Sequence, residues 1–216
     1  MRNSVKTGIR RIISLAEKLP YFSFADLTPI EKEKTYLKIL FSRYEKRSKL
    51  VRLKKGFYTT KEYVDQSQKD NTFSLYLEFL ANILYQPSYL SLDYILYQHN
   101  LLTEIPVNFT SVAVKKTARF SNKFGNFFYH KVKKDLFCGF EIVKESGFSV
   151  LKATKAKALF DFIYLRKNLL INEETVEELR LNLDNFKTSN IQEFEKYLRI
   201  EGSRKMKEIF NWIWKQ

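Results

Sequence analysis

The clearest hydrophobic pattern in the chain predicts a helix over about residues 31–47. Its apolar positions recur every three or four residues, as on a helix with one buried face: Tyr36, Leu37, Leu40, Phe41 and Tyr44. Two short runs with strand character, 50–53 and 57–60, follow the helix and are joined by Lys54-Lys55-Gly56. This spacing predicts a β-hairpin, in which Gly56 supplies the positive φ that a tight turn needs.

Two shorter patterns precede this helix. Apolar residues from Ile9 to Leu19 predict a first helix, and residues 23–27 predict a short second one. Helix, short helix, longer helix and basic hairpin is the order of a winged helix-turn-helix domain. Such a domain lays its third helix in the major groove of DNA, while the hairpin reaches the neighbouring backbone or minor groove. The plainer alternative is a solvated basic helix beside an ordinary hairpin.

The polar side of the third helix and the hairpin carry the candidate DNA contacts. Contacts to base edges are expected from the exposed side of the helix, at Lys34, Thr35, Lys38 and Ser42. Arg43, in the last turn of the helix, belongs to the predicted DNA-binding set as well. Contacts to phosphate are expected from the cations at the helix end and in the hairpin: Lys46, Arg47, Arg52, Lys54 and Lys55.

The remainder of the chain predicts a second domain, in which helices come before and after a small sheet. Residues 60–71 are largely polar and form the candidate linker, so we expect a DNA-binding domain at 1–68 and a second domain at 69–216. Helices are predicted at 73–85, from a Ser91 cap to His99, and at 154–166, 173–183, 190–200 and 203–214. Strands are predicted at 109–115, 126–132, 136–143 and 148–151. The predicted fold class is α+β with a mostly antiparallel sheet.

The net charge of +14 is concentrated in the first third of the chain. Residues 1–70 hold 17 Lys and Arg against 8 Asp and Glu, residues 71–153 hold 9 against 6, and residues 154–216 hold 12 against 10. Cations clustered in one domain release counterions from a nucleic-acid backbone on binding, so this distribution favours a polyanionic partner. No apolar run approaches the roughly 20 residues that cross a bilayer, and no membrane partner is expected.

Three segments in order carry a family resemblance: RLKKGFY at 52–58, PSYLSLDY at 87–94 and ATKAKALFDFIYL at 153–165. They resemble the AbiEi-type antitoxins, winged-helix regulators from bacterial abortive-infection loci, over about residues 8–170. The family usually has Thr-Pro-Glu where this chain has Thr154-Lys155-Ala156, whereas Thr154 and Asp161 match it. The resemblance implies that the N-terminal domain binds inverted repeats in its own promoter, as double-stranded DNA, and represses transcription. It also implies that the C-terminal domain counters a neighbouring nucleotidyltransferase-like toxin, with or without a stable complex.

Candidate chemistry adds little to this picture, and no enzyme activity, cofactor, metal or catalytic residue is expected. The two histidines, His99 and His130, have no carboxylate or cysteine at metal-ligand spacing. Asp135, Glu141 and Lys144 loosely resemble the metal-holding residues of a nuclease, but the last two would lie on opposite faces of a strand. The single cysteine, Cys138, allows no internal disulfide and fits a reducing cytoplasm.

Two interpretations stay open beside a DNA-binding repressor and antitoxin. One is an RNA-binding module that uses the same basic helix and hairpin on structured RNA, where shape matters more than sequence. The other is a metal-dependent nuclease. The aromatic residues of the middle strands are expected in the core, with a partner surface as the alternative: Phe127, Phe128, Tyr129 and Phe137.

Overall fold

The computed structural model describes residues 12–29 and 31–214. The chain divides into two compact units. The N-terminal unit extends to Leu77 and includes Phe120–Phe124, and the C-terminal unit comprises Glu78–Arg119 and the residues from Gly125 onward. Both units are built from helices and strands, so the fold is mixed α+β.

The N-terminal unit places three helices and a three-stranded antiparallel sheet ahead of a fourth helix. Its described elements are helical residues 12–16 (α1), β1 (Phe22–Ser23), α2 (Phe24–Leu27), α3 (Lys34–Lys46), β2 (Leu50–Lys54), β3 (Phe57–Thr60) and α4 (Lys61–Lys69). The strand order is β1-β3-β2. The longer helix and the hairpin are thus confirmed, while the predicted start of the first helix at Ile9 lies outside the described residues.

Aromatic packing holds these elements together. The apolar stripe of α3 buries Leu37, Leu40 and Phe41. The Phe41 ring stacks on Phe24 with centroids 4.8 Å apart and meets Tyr58 of β3 edge-on at 4.9 Å. Burying such side chains supplies about 1.5 to 3 kcal/mol each, which fixes the helix against the hairpin.

The predicted linker at 60–71 is wrong, because most of it forms α4. Thr60 caps this helix by accepting a hydrogen bond from the Tyr63 amide at 3.1 Å. Polar side chains one turn apart also stabilise it, and the side-chain amide of Gln66 donates a hydrogen bond to the Asp70 carboxylate at 2.9 Å. A polar segment with a good cap is therefore ordered although it buries few apolar residues.

The rest of the chain alternates helices with six strands. Its elements are α5 (Phe73–Leu84), β4 (Ser88–Leu90), α6 (Asp93–Gln98), β5 (Asn108–Ala113), β6 (Ala118–Asn122), β7 (Gly125–Lys131), a 3-10 turn (Lys134–Leu136), β8 (Phe140–Glu145), β9 (Phe148–Ala153), α7 (Lys155–Arg166), α8 (Glu173–Glu177), α9 (Thr188–Glu201) and α10 (Arg204–Trp214). None of the described helices is long and apolar enough to cross a membrane.

The six strands form one mixed sheet in the order β6-β7-β5-β4-β9-β8. Strand β5 pairs with β7, and β4 with β9, in parallel, whereas the pairs β4–β5 and β8–β9 are antiparallel. Two residues join the neighbours β6 and β7, a connection that only antiparallel strands allow, so the sheet keeps an antiparallel majority, and what the sequence did not predict is its two parallel pairs. Hydrophobic alternation identifies a strand but not its neighbour, and it does not reveal β4, which has only three residues and is buried on both faces.

Three local predictions also change in the structure. Residue Leu92, not Ser91, is the N-cap of α6. The strand predicted at 136–143 is a 3-10 turn followed by β8, and the helix predicted at 173–183 ends at Glu177. Thr154 caps α7 as predicted, accepting from the Lys157 amide at 3.1 Å.

Candidate nucleic-acid interface

One face of α3 is polar, accessible and free of buried side chains. Lys34, Thr35, Lys38 and Ser42 are all exposed. At 100° per residue they lie within about a third of the helix circumference. The apolar stripe of the same helix is packed against the hairpin, which leaves this face directed away from the core of the N-terminal unit.

The C-terminal end of α3 is strongly cationic. Arg43 and Lys46 occupy its last turn and Arg47 follows as the C-cap, and all three side chains are exposed. Cations at this end also interact favourably with the negative end of the helix dipole. Their position is therefore stabilised within the protein before any partner binds.

The hairpin continues the cationic surface. Arg52 on β2 and Lys55 in the turn are exposed, and Gly56 has the positive φ of +83° that the turn prediction requires. Burial raises the pKa of the Tyr58 hydroxyl, while nearby Arg52 lowers it and Glu45 of α3 raises it. Side chains of α3 and of the hairpin therefore approach the same hydroxyl.

Lys54 differs from the other predicted contacts. Its side chain is only partly exposed, and its Nζ lies 3.9 Å from the centroid of the Phe57 ring across the turn. This cation–π contact orients the ammonium group along the hairpin. Of the ten predicted residues, nine are exposed and this one is half-buried, and the structure brings all ten into a single helix–hairpin segment.

A second candidate site is the buried ion pair on helix α7. Lys157 and Asp161 lie one turn apart, and both side chains are completely buried. The Asp161 carboxylate accepts hydrogen bonds from the Lys157 ammonium and from the hydroxyls of Tyr89 and Ser91, each of these two at 2.9 Å. Both carboxylate oxygens of Asp161 are thus hydrogen-bonded, and the pair belongs to the framework of the C-terminal unit.

Aromatic rings surround the ammonium group of this pair. The Lys157 Nζ lies 5.1 to 5.7 Å from the ring centroids of Tyr89, Phe160 and Tyr197. Complete burial raises the pKa of the Asp161 carboxyl, although the Lys157 ammonium acts in the opposite direction. Because neither side chain reaches solvent, a substrate cannot contact the pair in this conformation.

The sequence motif at 153–165 points to Asp161 but not to its partner Lys157. The signal was present, since a cation and an acid four residues apart on a helix share one face. What the sequence lacks is any sign that this face is internal. Lysine and aspartate are almost never fully buried unless paired, so the pair is found only once the packing is known.

The residues that weakly indicated a nuclease do not converge. Asp135 lies in the 3-10 turn, while Glu141 and Lys144 lie on β8 three residues apart, so their side chains leave opposite faces of the strand. Over residues 12–29 and 31–214, no group of three or more His, Cys, Asp or Glu side chains is placed to hold a metal ion. Cys138 is partly exposed, and its Sγ lies 3.7 Å from the Asp135 carbonyl oxygen.

Comparison with models of known protein families and with curated proteins finds no match to this chain.

Proposed function

We propose that the chain is a sequence-specific DNA-binding repressor and that its N-terminal unit is a winged helix-turn-helix domain. The observation that carries the proposal is the exposure of the polar residues of α3 and of the cations at its C-terminal end and in the hairpin that follows it directly. Helix α3 is packed through one stripe only, so its opposite face is available to a partner.

The dimensions of α3 suit the major groove of B-DNA. Thirteen residues give a helix about 20 Å long and 10 to 12 Å wide, and the groove is about 12 Å wide. In this arrangement Lys34, Thr35, Lys38 and Ser42 face the base edges. The hairpin cations then reach the phosphates beside the groove.

Base-reading and phosphate-binding residues are separable by mutation. We expect Lys38→Ala to cost about 1 to 3 kcal/mol on the preferred sequence and to change base preference. Lys55→Ala removes one exposed phosphate contact, so it should weaken binding to all sequences alike and reduce the salt dependence by about one counterion. Lys69→Ala, an exposed cation at the end of α4, is the matched control and should change neither property.

The decisive measurement is binding of the full chain to the DNA upstream of its own coding region and to a scrambled duplex, at two salt concentrations. Specific, salt-sensitive binding to the upstream DNA supports the proposal. Equal losses on both duplexes for Lys38→Ala and Lys55→Ala contradict the division between base and phosphate contacts. Tighter binding of a folded RNA than of either duplex would replace the repressor with an RNA-binding module.

The resemblance to AbiEi-type antitoxins extends the proposal to a second activity. We infer that the C-terminal unit counters a nucleotidyltransferase-like toxin encoded beside this chain. Co-expression with the neighbouring gene tests it, since the chain should still restore growth when Lys38→Ala has weakened binding to the preferred DNA sequence. Loss of protection together with loss of DNA binding would assign any protective effect to repression alone.

A further inference from the structure

A cavity of about 380 Å³ opens on one face of the six-stranded sheet, within the C-terminal unit. Neighbouring strands supply its base, with Asn108 and Thr110 from β5 and Phe128 and His130 from β7. The parallel register sets Thr110 beside Phe128, and alternation along β7 places Phe128 and His130 on the same face. The volume falls within the range of about 300 to 1,000 Å³ that is typical of small-molecule sites.

Phe128 offers an accessible aromatic ring to this cavity. It is half-buried, whereas Phe127 and Tyr129 on the other face of β7 are fully buried. The guanidinium group of Arg119, on the edge strand β6, lies 4.7 Å from the centroid of the Phe128 ring. Aromatic rings and guanidinium planes are the surfaces on which proteins stack unpaired nucleobases.

The remaining walls combine a fixed polar side with an apolar rim. Arg166 donates a hydrogen bond to Asp93 at 3.1 Å, and its guanidinium lies 3.6 Å from the centroid of the Phe162 ring, so its orientation is set from two sides. Ile105 and Val107 line the same cavity and are 74% and 84% exposed. A flat group with apolar faces and hydrogen-bonding edges, such as a nucleobase, matches this lining.

His130 adds both a donor and an acceptor. Burial lowers its pKa, nearby Arg166 lowers it further, and Asp93 acts in the opposite direction. The ring is therefore neutral at pH 7, with one N–H donor and one nitrogen acceptor. A base edge presents the same combination of groups.

Cations follow the two strands that form the base of the cavity, in the segment from β5 to β6 and at the end of β7. The cavity lining itself includes two acids, Asp93 and Glu104, beside Arg166. Residues 105–119 and 125–134 contain no Asp or Glu, and each of their six cations is exposed: Lys115, Lys116, Arg119, Lys131, Lys133 and Lys134. The Lys131 amide donates to the Thr117 hydroxyl at 3.3 Å, which ties the two segments together. This charge extends further than one nucleotide requires and suits a longer phosphodiester chain.

We propose that this cavity is a second nucleic-acid site, which binds a single strand by stacking one unpaired base on Phe128 while Arg119 and the lysines after β7 hold the flanking phosphates. The ring lies within a cavity, so a base paired inside a duplex cannot reach it. The site lies in the C-terminal unit and does not depend on the function proposed for α3 and the hairpin.

The test is fluorescence anisotropy of the full chain with labelled ten-nucleotide oligouridine, oligothymidine and a short hairpin duplex. Phe128→Leu should weaken binding of the single strands by about 5- to 150-fold, the usual worth of one stacked base. Phe128→Tyr keeps the ring and should retain the affinity. Phe109→Leu is the matched control, because Phe109 is a half-buried phenylalanine on the adjacent strand whose ring stacks on Phe127, away from the cavity.

Two results would overturn the proposal. One is an equal effect, or no effect, of Phe128→Leu and Phe109→Leu on single-strand affinity. The other is photocross-linking of 4-thiouridine oligomers to the N-terminal unit alone. Tighter binding of either labelled single strand than of the hairpin duplex supports the site, and oligodeoxyuridine, which differs from oligouridine in the sugar alone, tests for a preference between ribose and deoxyribose. Duplex binding that falls with Lys38→Ala but not with Phe128→Leu separates this site from the α3 interface.

Discussion

Among single residues, Gly139 is the one whose lack of a side chain the packing requires most clearly. A Cβ atom there would lie 2.1 Å from the Tyr197 hydroxyl oxygen and 3.0 Å from Cδ of Lys157, and its φ is +71°. The Tyr197 hydroxyl donates to Glu193 at 2.6 Å, so the ring cannot move aside without losing that bond. The turn before β8 thus closes over the buried Lys157–Asp161 pair only with glycine at this position.

Gly139→Ala should lower the free energy of unfolding by about 2 to 5 kcal/mol, because backbone strain and overpacking add. Gly147→Ala is the matched control, since Gly147 has a φ of +82° but no atom within 4 Å of an added Cβ. It should cost about 1 to 2 kcal/mol from the backbone alone. Urea unfolding of both variants measures the difference in the free energy of unfolding. Equal decreases in the two variants would show that the Tyr197 ring moves aside at no cost.

Among the secondary-structure elements, the sequence predicts helices best where the spacing of apolar residues and the capping residue indicate the same boundaries. Helices α3, α5 and α7 lie within a few residues of their predicted positions, and Thr154 caps α7 as expected. The exposure of the polar side of α3 was equally predictable, because that side of an amphipathic helix is set by its period. Failures occur where the pattern is weak, as at the polar α4 and the three-residue β4.

The α4 helix depends on its cap more than on buried surface. Thr60→Ala removes the oxygen that accepts from the Tyr63 amide and should cost about 1 kcal/mol of stability in the N-terminal unit. Thr60→Ser loses the same methyl group but keeps the hydroxyl, and it should recover most of that loss. Hydrogen exchange of the first-turn amides of α4 reports the effect locally, and identical exchange in the two variants would argue against the cap.

For the whole molecule, the α+β class follows from the succession of helical and strand patterns, but the sheet order does not. Pairing of β4 with β9 joins Leu90 to Lys152, which are far apart in sequence. Periodicity is a local property and carries no information about such partners. The cavity above Phe128 was missed for the same reason, since it exists only because β7 lies beside β5.

Acidification should destabilise the molecule from about neutral pH downward. Burial lowers the pKa of both His99 and His130 from their ordinary value of 6.5, so the unfolded chain takes up these protons before the folded one does. Stability is therefore lost as pH falls below about 6.5. The melting temperature should fall less between pH 7.5 and pH 5.5 in a double variant with His99→Gln and His130→Gln. The same dependence of melting temperature on pH in the variant and the natural chain would show that the two histidines do not cause the loss.

The position of β4 has a consequence for biosynthesis. Strand β4 lies in the middle of the sheet, yet one of its two neighbours, β9, is made some sixty residues later. While a ribosome is still producing the intervening chain, one edge of β4 has no native partner, and unpaired edges are templates for association with other chains. A polypeptide that stops before residue 148 keeps this edge open, so premature termination yields a product prone to aggregation rather than a smaller functional unit.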